Sequence, residues 1–129
     1  MKGGYFVGIE TDVFRAVETI LIEMGGTSWS EDDKRSAQSR TKDGRLFFLY
    51  ETNDDALFDI REEPVYAAPG VEAPDMSQVT ACLFECRWED LVVEIALAAS
   101  KRSASTFWLV DGNGVVWDAA SVDSKALFL

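Results

Sequence analysis

FWLVDGNGVVWD, residues 107–118, sets an aspartate, an asparagine and two glycines between two runs of strand-forming residues. Carboxylates, amides and glycines serve calcium loops and tight turns alike, so position has to separate the two. An EF-hand loop needs oxygen ligands at positions 1, 3, 5 and 12 and a glycine at 6. Counted from Asp111, Asn113 falls at position 3, but Val115, Val116 and Val122 fall at 5, 6 and 12. Valine offers no ligand there, whereas a hairpin needs only flexible backbone at Gly112-Asn113-Gly114 and strand formers on both sides. The stretch therefore reads as two antiparallel strands, Phe107 to Asp111 and Val115 to Asp118. Trp108 and Trp117 are expected to lie near one another across it, a cross-strand pair that stabilises such a hairpin by up to about 1 kcal/mol.

The preceding WEDLVVEIALAASKR reads as a helix, with Glu89 and Asp90 in its first turn and Lys101 and Arg102 in its last, both matched to the helix dipole. Its polar stripe, Arg87, Asp90, Glu94 and Lys101, is narrow. Such a helix is either enclosed on several sides or meets another chain. Before it, Val79 to Glu85 reads as a buried strand. Cys82 and Cys86 on that run stand about 13 Å apart at the rise of an extended strand, beyond disulfide reach, and are expected to be free thiols. With no histidine in the chain they cannot complete a zinc site from the usual ligands, and they read as small buried apolar residues.

Gly4 to Ile9 reads as a first strand. TDVFRAVETILIEMGG reads as the clearest helix, capped by Thr11 or Asp12, with Val13, Phe14, Val17, Ile20, Leu21 and Met24 forming one apolar stripe before Gly25-Gly26 ends it. SWSEDDKRSAQSR carries no firm period. Asp43-Gly44 signals a hairpin turn between Ser36 to Thr41 and Arg45 to Tyr50. ALFDIRE reads as one more strand and the stretch after it as a long loop containing Pro64, Pro69 and Pro74. The order β-α-β-β-(β)-β-α-β-β predicts an α+β fold. It is one domain over residues 1–129, a mainly antiparallel sheet packed with two helices.

Twenty-three acidic against 12 basic residues give a net charge of -11. A phosphate backbone or an anionic membrane surface needs a basic face, so neither nucleic acid nor membrane is expected as a partner. The charge serves solubility or attracts a basic protein. No apolar run reaches the roughly 20 residues that cross a bilayer, and MKGGYFVGIETDVF has no signal or transit character, so a cytoplasmic location is expected. Histidine is absent, which removes the commonest general base, and Gly112-Asn113-Gly114 lacks the lysine and helix of a phosphate loop. No catalytic residue, cofactor or metal is assigned. The acidic charge concentrates between Tyr50 and Asp75, where eight acidic residues face Arg61 alone, a local balance of -7. This segment is either a solvated loop or a partner-facing surface. As the latter, its contact residues are Asp54, Asp55, Asp59, Glu62, Glu63 and Tyr66, joined by Trp29, which is either a core residue or an exposed anchor.

From about Cys82 to Leu129, a strand, the Ala-rich helix WEDLVVEIALAAS and FWLVDGNGVVWDAASVDSKALFL resemble the tail of the small bacterial immunity proteins that accompany polymorphic toxins. The resemblance implies a non-catalytic cytoplasmic protein that neutralises a cognate toxin, often a basic one, by occupying its active face. It transfers no site residues. Two other readings stand beside it. One is a small ligand-binding domain or enzyme with an acidic pocket; the other is an accessory subunit that forms a homodimer through its second helix.

Overall fold

The computed structural model describes residues 2–129. Eight strands form one sheet: β1 (Gly3–Gly8), β2 (Thr27–Glu31), β3 (Lys34–Arg40), β4 (Leu46–Glu51), β5 (Tyr66–Ala67), β6 (Thr80–Cys86), β7 (Phe107–Val110) and β8 (Val115–Asp118). Three helices accompany it, α1 (Val13–Glu23), α2 (Asp54–Glu62) and α3 (Glu89–Arg102), with a 3-10 turn at Met76–Gln78. The spatial order is β2-β3-β4-β6-β1-β7-β8-β5. Every pairing is antiparallel except the two-residue β5 along β8. The α+β class and the mainly antiparallel sheet are as the sequence predicts.

Strand alternation sends side chains to two faces, and both faces of the central strands are buried. Phe6, Phe47, Leu49, Cys82, Phe84, Phe107 and Leu109 point to the face covered by α1 and α3. Tyr5, Val7, Val110 and Val116 point to the other, beneath Ile60 of α2 and Val79. Phe84 anchors the first layer, stacked on Phe47 at 5.4 Å and tilted against Phe6 at 5.0 Å. Burying each such ring contributes about 1.5–3 kcal/mol.

α1 forms because its apolar residues fall on one side and its ends are satisfied. The Asp12 carboxylate accepts from Arg15 N–H at 3.1 Å, and Val13, Phe14, Val17, Ile20 and Leu21 are buried. At the other end Gly25, at φ +86°, lets Gly25 N–H reach Ile22 O and Gly26 N–H reach Leu21 O, closing the last turn in the Schellman pattern. α3 is enclosed: Leu91, Val92, Ile95, Ala96 and Ala99 are buried against α1 and the sheet, and Leu97 is its one large exposed apolar residue. Cys82 and Cys86 are free and buried on one face of β6, where burial raises both thiols above their ordinary range.

Three expectations are corrected. ALFDIRE is helical, not a strand. Asn53 caps it by accepting from Ala56 N–H at 2.7 Å, Asp54 and Asp55 favour its N-terminus, and Arg61 ends it while donating to Val79 O. The described residues thus form three α-helices, not two. The stretch around Trp29 contains β2, whose five residues are all exposed, so no burial pattern marked it. Trp108 and Trp117 lie on opposite faces, because Trp108 pairs with Asp118 and Trp117 with Leu109. Among the described residues, no helix is long and apolar enough to cross a membrane.

Candidate functional site

The turn quoted at the outset is structural. Asp111 is 3% exposed, and its carboxylate is saturated from inside the protein. Oδ1 accepts from Asn113 and Val115 N–H at 2.9 and 3.1 Å; Oδ2 accepts from Trp117 Nε1 at 3.1 Å and Phe128 N–H at 3.3 Å. Gly114, at φ +76°, closes the turn. With its oxygens committed to four N–H groups, the side chain orders the hairpin and ties down the C-terminal segment. Among the described residues no group of three or more His, Cys, Asp or Glu is placed to hold a metal ion.

The sheet face opposite α1 and α3 is covered unevenly. Over β1, β7 and β8, α2 and the segment after it lay Ile60, Val65, Ala73 and Met76 on the sheet. Over β4, β3 and β2 the face stays partly open, with Phe48 and Tyr50 half-buried and Trp29 exposed. Where the cover ends, an open groove of about 730 Å³ runs between the end of α2, strands β1, β6 and β4, and the turn at residues 111–114. Tyr5, Tyr50, Tyr66, Leu83, Glu63 and Glu85 give it its chemistry. Tyr5 hydroxyl donates to Glu63 Oε2 at 2.7 Å, and Tyr50 hydroxyl donates to Glu85 Oε1 at 3.1 Å. Burial first, and the neighbouring carboxylate second, raise both phenols above their ordinary range, so each stays protonated and keeps donating.

From the groove an aromatic row crosses the uncovered strands. Tyr50 meets Phe48 edge-on at 5.6 Å, and Phe48 meets Trp29 edge-on at 5.6 Å. Trp29 is 39% exposed. Glu31, Asp32 and Glu85 line the hollow beside this row, with Lys34 as its only lysine. Glu51, on the same hollow, is already neutralised: Arg35 donates to it at 3.0 Å, grips both oxygens of Asp12 at 2.9 Å and lies 4.5 Å over the Phe14 ring. Hydrogen bonding to that guanidinium holds Asp12 and Glu51 below the usual carboxylate range.

The residues singled out in the sequence divide. Glu63 and Tyr66 line the groove, and Trp29 begins the row that leads into it. Asp54, Asp55, Asp59 and Glu62 are exposed along α2, outside the groove's lining. Asp54 and Asp55 have a local role, in the first turn of the helix, where its amide dipoles favour negative charge. Phe58, 63% exposed, sits among them. Tyr5, Leu83 and Glu85 were not singled out. The alternation of ACLFEC carried the signal for two of them, since it puts Leu83 and Glu85 on the face opposite Cys82, Phe84 and Cys86.

No protein-family model, no characterised protein and no solved structure matches the chain.

Proposed function

We propose that the chain is a non-catalytic protein-binding module that captures a basic protein on the uncovered half of its sheet. The observation that carries this is the row Trp29, Phe48 and Tyr50, which leads into a groove whose carboxylates Glu63 and Glu85 have no cationic partner among the described residues. Aromatic residues on a flat, partly desolvated surface are the usual anchors of protein contacts, and surrounding charge steers the partner in. The acidic outer face of α2 and the net charge of -11 add long-range attraction for a positive partner. In the manner of the immunity proteins that its C-terminal half resembles, the module neutralises a cognate toxin by covering the toxin's working face.

Capture from the native cell at two salt concentrations tests this. Wild-type protein is expected to retain one basic protein, less well at high salt. A Trp29→Ala and Phe48→Ala double variant with unchanged circular dichroism is expected to lose it. Equal capture by both, or a retained protein of acidic character, would sink the reading.

A second reading draws on the groove itself, since about 730 Å³ falls in the range of small-molecule sites. In that case the chain is a small ligand-binding domain or enzyme with an acidic pocket. Its Glu63 is exposed, however, whereas a tuned catalytic acid needs apolar enclosure.

A further inference from the structure

Resting on the protein-binding reading, we infer that the tyrosine-lined groove is a receptor for an arginine side chain of the partner. Tyr5, Tyr50 and Tyr66 bring three aromatic rings to the groove, and Glu63 and Glu85 bring two carboxylates. The tyrosine hydroxyls fix one oxygen of each carboxylate and leave Glu63 Oε1 and Glu85 Oε2 without a donor among the described residues. Lys2 also lines the groove but is exposed and forms no ion pair with either carboxylate.

These groups suit a guanidinium more than other ligands. A planar cation stacks on aromatic faces and directs its N–H fork to carboxylate oxygens at once, and it loses less hydration than an ammonium when it does so. Two carboxylates are too few to enclose a metal ion, which matches the absence of any three-residue ligand group among the described residues. A neutral ligand would leave both charges uncompensated at the groove wall. Tyr66, 65% exposed, is held by its backbone along β8, and its hydroxyl makes no hydrogen bond among the described residues, which leaves its ring available to an inserted side chain.

The probe is acetyl-Gly-Arg-Gly-amide, set against its lysine analogue and its citrulline analogue, which keeps the shape of arginine without the charge. Binding is read by calorimetry and by the ring resonances of Tyr5, Tyr50 and Tyr66. The arginine peptide is expected to shift these resonances and to bind about tenfold more tightly than the citrulline peptide, with lysine between them, since one charge-assisted contact is worth a factor of that size. Glu63→Gln with Glu85→Gln keeps acceptors for both tyrosine hydroxyls and is expected to abolish the preference for arginine over citrulline. Should that variant unfold, Tyr66→Ala, at an exposed position, is expected to weaken arginine binding several-fold. Equal binding of arginine and citrulline, shifts confined to α2, or no binding of the arginine peptide overturns the assignment. A basic partner retained equally by wild type and by the Gln variant, yet lost by Trp29→Ala with Phe48→Ala, overturns the groove and leaves the protein-binding reading standing.

Discussion

Asp111 and the pair Asp32-Asp33 both occupy the turn of a β-hairpin, and they use their carboxylates in opposite ways. At Asp111 a glycine takes the left-handed position, the carboxylate is buried, and four N–H groups surround it. At residues 32 and 33 the aspartates themselves take φ of 50° and 63°, without glycine, and both remain exposed. Among the described residues no ion pair involves either one. Two side-chain-bearing residues held in that region store strain that an Asn-Gly turn would relieve. The first turn directs its charge inward to hold the fold. The second keeps its charge in solvent at the edge of the open face, at a cost to stability. An acidic turn in a sequence therefore does not mark a site; what matters is whether the protein has already answered the charge.

The largest expected effect lies at the buried turn. Asp111→Ala leaves Trp117 Nε1 and three backbone N–H groups without their acceptor, and is expected to lower unfolding free energy by about 3 kcal/mol in chemical denaturation. A loss under about 1 kcal/mol would erase the contrast between the two turns.

Arg35 supplies an intermediate case, a carboxylate pair answered at the surface. Arg35→Ala is expected to cost about 1–2 kcal/mol through lost hydrogen bonds to Asp12 and Glu51 and lost contact with Phe14. Because both carboxyls titrate lower when folded than when unfolded, their contribution is complete above the unfolded values and fades as pH falls through the folded ones. Wild type is thus expected to lose stability in that acidic window faster than the variant, as thermal melting between neutral and acidic pH will tell. Parallel pH profiles would mean the pairing contributes nothing.

The smallest expected change in stability comes at the exposed turn, and it is a gain. Asp32→Asn with Asp33→Gly is expected to stabilise the fold by roughly 0.5–1 kcal/mol while slowing association with the basic partner and flattening its salt dependence. A destabilised variant would show that residues 32 and 33 support the fold after all. Unchanged association would remove this turn from the binding surface.

What was legible beforehand follows from the same distinction between one-sided burial and exposure. α1, β4, β6 and α3 each hide one face, so their periods appear in the sequence; β1, β7 and β8 hide both and show as short apolar runs, and β3 is marked by the Asp43-Gly44 turn beside it. β2 hides neither face and left no pattern. α2 buries only Ile60, and Ala-Leu-Phe-Asp-Ile imitates a strand unless the Asn53 cap and the acidic first turn are weighed. The paired tryptophans failed by one residue of register, which in a sheet reverses the face. Charge and aromatic content pointed to Glu63 and Tyr66, and the alternation of β6 marked the face of Glu85, but Tyr5 joins them through β1–β6 pairing across some 80 positions of chain, and no local pattern carries that.

The place of β1 has a consequence for how the molecule is made. Among the described strands it comes first in the chain, yet it lies inside the sheet between β6 and β7, so its two ladders are complete only once Val110 has been added. The apolar stripe of α1 meets the β2–β3–β4 meander first and gains α3, the helix that packs beside it, only after residue 102. A nascent chain halted before residue 107 therefore leaves the β7 edge of β1 unpaired, and the sheet is expected to close only when the last two strands arrive.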